Sequence, residues 1–143
     1  MTRYDLPCNI AQTLNIIGDR WTMLILHELL VGTENFNEIK GKLNGLSSNV
    51  LSARLKAMEE AGLVTSKLYS AHPPRYSYAL TGAGKELEHV FNALAIWGSK
   101  HLNPCYKEVV DAHTDERVDI VYRTTSGAIT EDLVIRPVRI EQP

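Results

Sequence analysis

At Gly62 the spacing of apolar residues changes, and that change limits what the chain can fold into more than any other feature. Before it, apolar residues recur at steps of three and four in short runs, each closed by a breaking residue. That is the signature of one-sided helices. After it, Leu63–Tyr69 and Arg75–Leu80 alternate in the two-residue period of strands, and from Thr81 the helical spacing returns. A chain with this order must cover one short hairpin with several small helices.

The runs place the elements. Ile10, Leu14 and Ile17 lie at helical spacing, with Pro7 suited to a first turn and Gly18 to a stop. Asp19 is a good cap for a second helix carrying Trp21, Leu24, Ile25 and Leu29 on one face, and Gly32, Thr33 and Glu34 end it. Asn35 followed by Glu38 resembles a capping box for a third helix with Phe36, Ile39 and Leu43 inward. Asn44 and Gly45 mark a turn, and Ser47 or Ser48 caps a fourth helix whose stripe is Leu51, Leu55 and Met58. The hairpin has a proline-bearing connection at 70–74. Thr81 then opens a long helix with Leu87, Val90, Phe91, Leu94 and Trp97. Further on, Val118, Ile120 and Tyr122 alternate, Ser126 and Gly127 read as a turn, and Leu133, Ile135, Val138 and Ile140 read as a second strand. Pro137 confines that strand to a sheet edge.

The expected fold is therefore mainly α with a small β-hairpin, an α+β arrangement. Helices three and four form a helix-turn-helix, the hairpin is its wing, and a long C-terminal dimerisation helix and a second hairpin follow. Residues 1–101 are expected to form the winged domain and residues 102–143 an extension of unassigned role.

Bulk properties permit this reading. A chain of 143 residues with 44% apolar and 22% charged residues can bury a core and is ordinary for a soluble protein. No apolar run approaches the roughly 18–20 residues of a membrane span, and the first residues are too polar for a signal peptide. Cys8 and Cys105 make no disulfide framework, so a cytoplasmic protein without a membrane partner is expected. The net charge of −2 is uneven: residues 20–76 carry seven basic and five acidic groups, residues 77–143 seven and ten. A mildly basic middle is compatible with nucleic acid.

Several groups of residues together point to a family. Cys8, Leu14, Ile17-Gly18, Arg20-Trp21-Thr22, Ile25-Leu26 and Leu29 come first. Phe36, Ile39, Leu51, Arg54-Leu55-Lys56, Met58-Glu59 and Gly62-Leu63-Val64 continue the match. Pro73-Pro74-Arg75-Tyr76, Tyr78, Leu80-Thr81, Gly84 and Trp97 complete it. This pattern, over about residues 8–101, resembles the HxlR-type family of bacterial winged-helix regulators. The resemblance implies a dimeric, sequence-specific DNA-binding transcriptional regulator, read here as a repressor acting on an inverted-repeat operator in double-stranded DNA. The first and last helices would build the homodimer. Two positions depart from the family pattern: Asn35 stands where Arg commonly precedes Phe36, and Ser77 where Glu commonly precedes the Tyr.

On the fourth helix, Ser48, Asn49, Ser52 and Lys56 fall opposite the apolar stripe. Hydroxyl and amide groups can approach base edges, Asn can pair with adenine, and Lys suits a phosphate. Arg54 lies beside the stripe, either as an ion-pair partner or as a phosphate contact. The wing offers His72, Arg75 and Tyr76 to the DNA backbone or minor groove. The alternative is a winged helix used for protein contact, which a salt-dependent DNA affinity would exclude.

Cys8 follows Pro7 at an expected helix N-terminus, a place that favours anions, and an accessible thiol there can read quinones, aldehydes or oxidants. Its other reading is a small apolar residue packed on the core. The resemblance implies sensing of small-molecule electrophiles or oxidants at Cys8. It also implies that Cys105 of a second copy lies near Cys8. His101 and Cys105, one helical turn apart, could join Cys8 or His113 in holding zinc, but two cysteines without C-x-x-C spacing give a weak signal and no metal or cofactor is expected. No Gly-rich phosphate loop, H-E-x-x-H or G-x-S-x-G occurs, so no enzyme is expected.

Overall fold

The computed structural model describes residues 3–138. It contains α1 (Asn9–Ile17), α2 (Thr22–Leu30), α3 (Phe36–Lys42), α4 (Ser48–Glu60), β1 (Val64–Ala71), β2 (Pro74–Leu80), α5 (Gly82–Glu86), α6 (Glu88–His101), β3 (Tyr122–Arg123) and β4 (Ile129–Thr130). The described residues pack as two units, divided within α6 after Leu94. No helix among them is long and apolar enough to cross a membrane.

In the first unit the caps of α3 and α4 fall where expected, whereas Pro7 lies just before α1, whose N-cap is Cys8, and the N-cap of α2 is Trp21, with Asp19 two residues earlier. Asn35 caps α3 by accepting from the Glu38 amide, and Ser47 caps α4 by accepting from the Val50 amide. Gly45 and Gly62 close the third and fourth helices at φ +87° and +76°, where a side chain would be strained. One core joins Ile17 of α1, Ile25, Leu26 and Leu29 of α2, Ile39 of α3, Leu51, Leu55 and Met58 of α4, Val64 of β1 and Phe91 of α6. The stripe expected on the second helix needs correction. Leu24 is exposed and Leu26 fully buried, because at 100° per residue Thr22, Ile25, Leu26 and Leu29 share the inward side and Leu24 falls on the opposite one.

Strands β1 and β2 pair antiparallel from Val64↔Leu80 to Ala71↔Pro74, with a bulge between Leu68 and Ser70. The connection expected at 70–74 is shorter, a two-residue tip of His72 and Pro73. Pro74 fits as the first residue of its strand, where its missing N–H costs little. A third edge strengthens the wing: Asn35 bridges Ser77, and the Tyr78 amide donates to Glu34 O at 2.8 Å. The segment entering α3 is thereby sewn to the wing.

The single long helix expected after Thr81 is two helices. Thr81 accepts from the Gly84 amide and donates to Gly62 O, starting α5, but the run breaks at Leu87 before α6 begins. Gly82 and Gly84 support a helix weakly, and Gly84 is held against the backbone of Leu63, where a Cβ would overlap the carbonyl oxygen. Close docking of α5 on the start of the wing takes precedence over helix continuity.

In the second unit, Gly127 at φ +98° turns the chain so that Thr124 and Ala128 close a loop and β3 pairs β4 through Tyr122↔Thr130 and Arg123↔Ile129. The second strand expected from Leu133 to Ile140 is therefore not the partner. The tight turn sets the register and places residues 129–130, not 133–138, beside β3. Leu133, Ile135 and Val138 lie outside any strand, and Ile140 lies outside the described residues. Tyr106, Val134 and Ile135 are almost fully exposed.

Candidate nucleic-acid interface

Helix α4 presents two faces. Leu51, Leu55 and Met58 are at most 1% exposed, while Ser48, Asn49, Ser52 and Lys56 all face outward. The buried stripe seats the helix and fixes which way the polar set points. Behind it, Lys42 at the end of α3 donates to Thr33 Oγ1 at 2.7 Å, and Thr33 donates to Glu28 of α2 at 3.1 Å. This chain of bonds ties the end of α3 to α2 and steadies the turn leading into α4.

Arg54 is an ion-pair partner. Its Nε lies 3.6 Å from Asp19 Oδ1, is itself buried, and has no hydrogen-bond partner among the described residues. Asp19 also accepts from the Trp21 and Thr22 amides at 2.9 and 3.0 Å and from the Thr22 hydroxyl. Burial opposes the Asp19 carboxylate, but the Thr22 hydroxyl, the two amides and Arg54 outweigh it and hold its pKa below the ordinary value. Asp19 thus holds the amides at the start of α2 and pairs with α4 through one carboxylate. The capping signal was readable in the sequence; the partner across 35 positions was not.

On the wing, His72, Arg75 and Tyr76 are exposed. A cavity of about 300 Å³ opens between the entry to α3 and the tip-side half of the two strands. Among its walls are Phe36, Asn37, Tyr69, Arg75, Tyr76 and Tyr78. Burial first, then the nearby Glu59 and Tyr76, push the Tyr78 hydroxyl up, so it stays a neutral donor. Asn37 and Tyr69 were not singled out from the sequence, because only the bridge between Asn35 and Ser77 brings their segments together. Those two bridging positions are the ones at which the chain departs from the family pattern.

Cys8 is the N-cap residue of α1, exposed, with no side-chain capping bond. It is not packed into the core of its unit. Cys105, in the second unit, is exposed too and points its thiol at Lys107 O, 3.5 Å away. It lines a cavity of about 320 Å³ together with Lys100 and Arg117. The ring of His101, considered above with Cys105, lies against the ring of Trp97, with centroids 5.0 Å apart.

Residues 16–106 match the model of the HxlR-like helix-turn-helix family. Over 106 residues the chain is 32% identical to the uncharacterized HTH-type transcriptional regulator YvaP of Bacillus subtilis, covering 74% of this chain and 98% of that protein. Among solved structures it is similar to PA1607, described as a candidate transcription factor, with a TM-score of 0.76 and 26% identity. That match spans 93% of this chain and 97% of the other. It is also similar to the oxidized form of the redox regulator HypR, with a TM-score of 0.58 and 28% identity, over 67% of this chain and 99% of that one. The family and these relatives are transcription regulators, not enzymes. With a helix-turn-helix, a wing and a match over most of its length, this chain belongs to the HxlR-like helix-turn-helix family of transcription regulators.

Proposed function

We propose that the chain is a sequence-specific repressor that binds an inverted-repeat operator as a homodimer and releases it when Cys8 is modified. The observation that carries this reading is the two-faced α4, whose apolar stripe is buried while Ser48, Asn49, Ser52 and Lys56 are exposed, as is Arg75 on the wing. Asn49 and Ser52 read base edges in the major groove, and Lys56 and Arg75 hold phosphates. His72 and Tyr76 meet the backbone or minor groove beside them.

The dimer is supported by apolar side chains left outside the core: Ile10 and Leu14 on α1, Leu94 and Trp97 on α6. A pairing built on these helices presents two recognition helices, and half-sites about one DNA turn apart follow from two-fold symmetry. Sensing is supported by the free, exposed Cys8 and by the likeness to a protein named a redox regulator. An electrophile alkylates the Cys8 sulfur. An oxidant such as diamide takes two electrons and two protons from Cys8 and Cys105 of the second copy, forming one disulfide between chains.

Selecting bound sites from random duplex DNA, with and without diamide, tests the whole reading. An inverted repeat is expected, lost on oxidation in wild type and retained in Cys8→Ser. No enriched site, or binding that ignores salt, would remove DNA as the partner. Equal release from wild type and Cys8→Ser would leave the regulator and remove the sensor.

A further inference from the structure

The cavity between the wing and the entry to α3 has a composition that a DNA-contact surface does not need. Phe36, Tyr69, Tyr76 and Tyr78 give it aromatic walls, and Pro73 and Pro74 stiffen its rim. The ring–ring contacts among the described residues are His27 with Phe91 and Trp97 with His101, so no wall tyrosine has its face covered by another ring. Arg75 is the one charged lining residue, and it takes no part in the ion pairs among the described residues. Asn37 contributes an amide. At about 300 Å³ the cavity stands at the small end of ligand pockets. It has room for one ring with a short polar arm, not for a nucleotide.

We propose that this cavity is an effector site for a small aromatic carboxylate, which stacks its ring among Tyr69, Tyr76 and Phe36 and places its carboxylate on Arg75. Aromatic walls supply sequence-independent stacking, and a guanidinium takes a carboxylate through two parallel hydrogen bonds. The consequence for regulation rests on the DNA reading above. Arg75 is the wing cation assigned to a phosphate, so a ligand that occupies it withdraws the wing from the backbone. The site gives the protein an inducer input that needs neither cysteine. Because Asn35 and Glu34 are bonded to β2, an occupant also wedges between the wing and the segment that enters α3.

The test uses the full chain, with benzoate and phenylacetate as probes and benzamide as the uncharged control. Titration calorimetry without DNA reads the site directly, so its result does not depend on operator binding. Benzoate or phenylacetate is expected to bind with a sub-millimolar dissociation constant, benzamide at least about tenfold more weakly, and Arg75→Gln to lose about tenfold for the acid alone. Tyr69→Ala, on a residue not assigned to DNA, is expected to lose the ligand while keeping operator affinity in an anisotropy titration that the acid disturbs only in wild type. Asn37→Asp guards against misfolding: a carboxylate in the first turn of α3 suits that helix end, yet it repels the anion and leaves benzamide unchanged. No heat from either acid up to about 10 mM, or equal affinity in wild type, Arg75→Gln and Asn37→Asp, overturns the proposal. Acid binding with this mutational pattern in a chain that binds no operator upholds the site and refutes only the DNA reading.

Discussion

Replacing Asp19 with alanine removes four contacts at once, because one carboxylate serves the Trp21 and Thr22 amides, the Thr22 hydroxyl and Arg54. Loss of a side chain that accepts from amides at a helix start costs about 1 kcal/mol, as for a helix cap. The buried Thr22 hydroxyl loses its acceptor and Arg54 loses its ion-pair partner, adding about 1–3 kcal/mol. The sum, about 2–4 kcal/mol, lowers Tm by roughly 6–12 °C in a domain of this size. Thermal and urea unfolding followed by circular dichroism, at one fixed protein concentration, read this directly. Arg54→Ala should cost less, and the double variant should fall short of additivity by about 0.5 kcal/mol or more. The Asp19 pKa is depressed in the folded protein, so its contribution is complete above the ordinary value of 3.8 and is lost as pH falls through the lower folded value. Asp19→Asn should therefore flatten the acid limb of the stability curve and run parallel to wild type between about pH 5 and 8. A Tm for Asp19→Ala within about 1 °C of wild type would refute the shared-carboxylate argument. Arg54→Ala that spared stability but weakened DNA binding would return Arg54 to the phosphate contacts.

Gly84→Ala drives a Cβ into the Leu63 carbonyl and toward Leu80, so unfolding measurements should show a loss of at least about 1–3 kcal/mol; an unchanged Tm would mean α5 does not dock as described. Asn35→Arg costs the cap of α3, but adding Ser77→Glu across the bridge should recover about 0.2–1 kcal/mol beyond the sum of the single changes. Strict additivity would show that the two positions do not face each other. Leu94→Glu charges an exposed apolar position on α6 and should shift sedimentation at micromolar concentration from dimer to monomer without loss of helix signal. A wild-type chain that already sediments as a monomer would remove the dimer.

Helix positions, caps and the wing were legible in the sequence because their causes are local. Asn35 and Ser47 accept from amides three residues on, Gly45 and Gly62 supply left-handed backbone, and the change of period at Gly62 marks where strand begins. The polar set on α4 was legible for the same reason, since spacing around one helix needs no knowledge of the rest. The break at Leu87 was not legible: helical spacing runs through it, and the break follows from Gly84 meeting the Leu63 backbone about 20 residues earlier. In the extension, alternation could not say which residues pair, because register is set by the turn at Gly127 and not by apolar pattern. The sequence by itself determined the elements and the outward polar face of α4. Only the tertiary structure decided that Arg54 serves Asp19, that Asn35 meets Ser77, and that a cavity opens between the entry to α3 and the wing. Contacts between distant segments depend on how surfaces close over a common core, and no local periodicity encodes that closure.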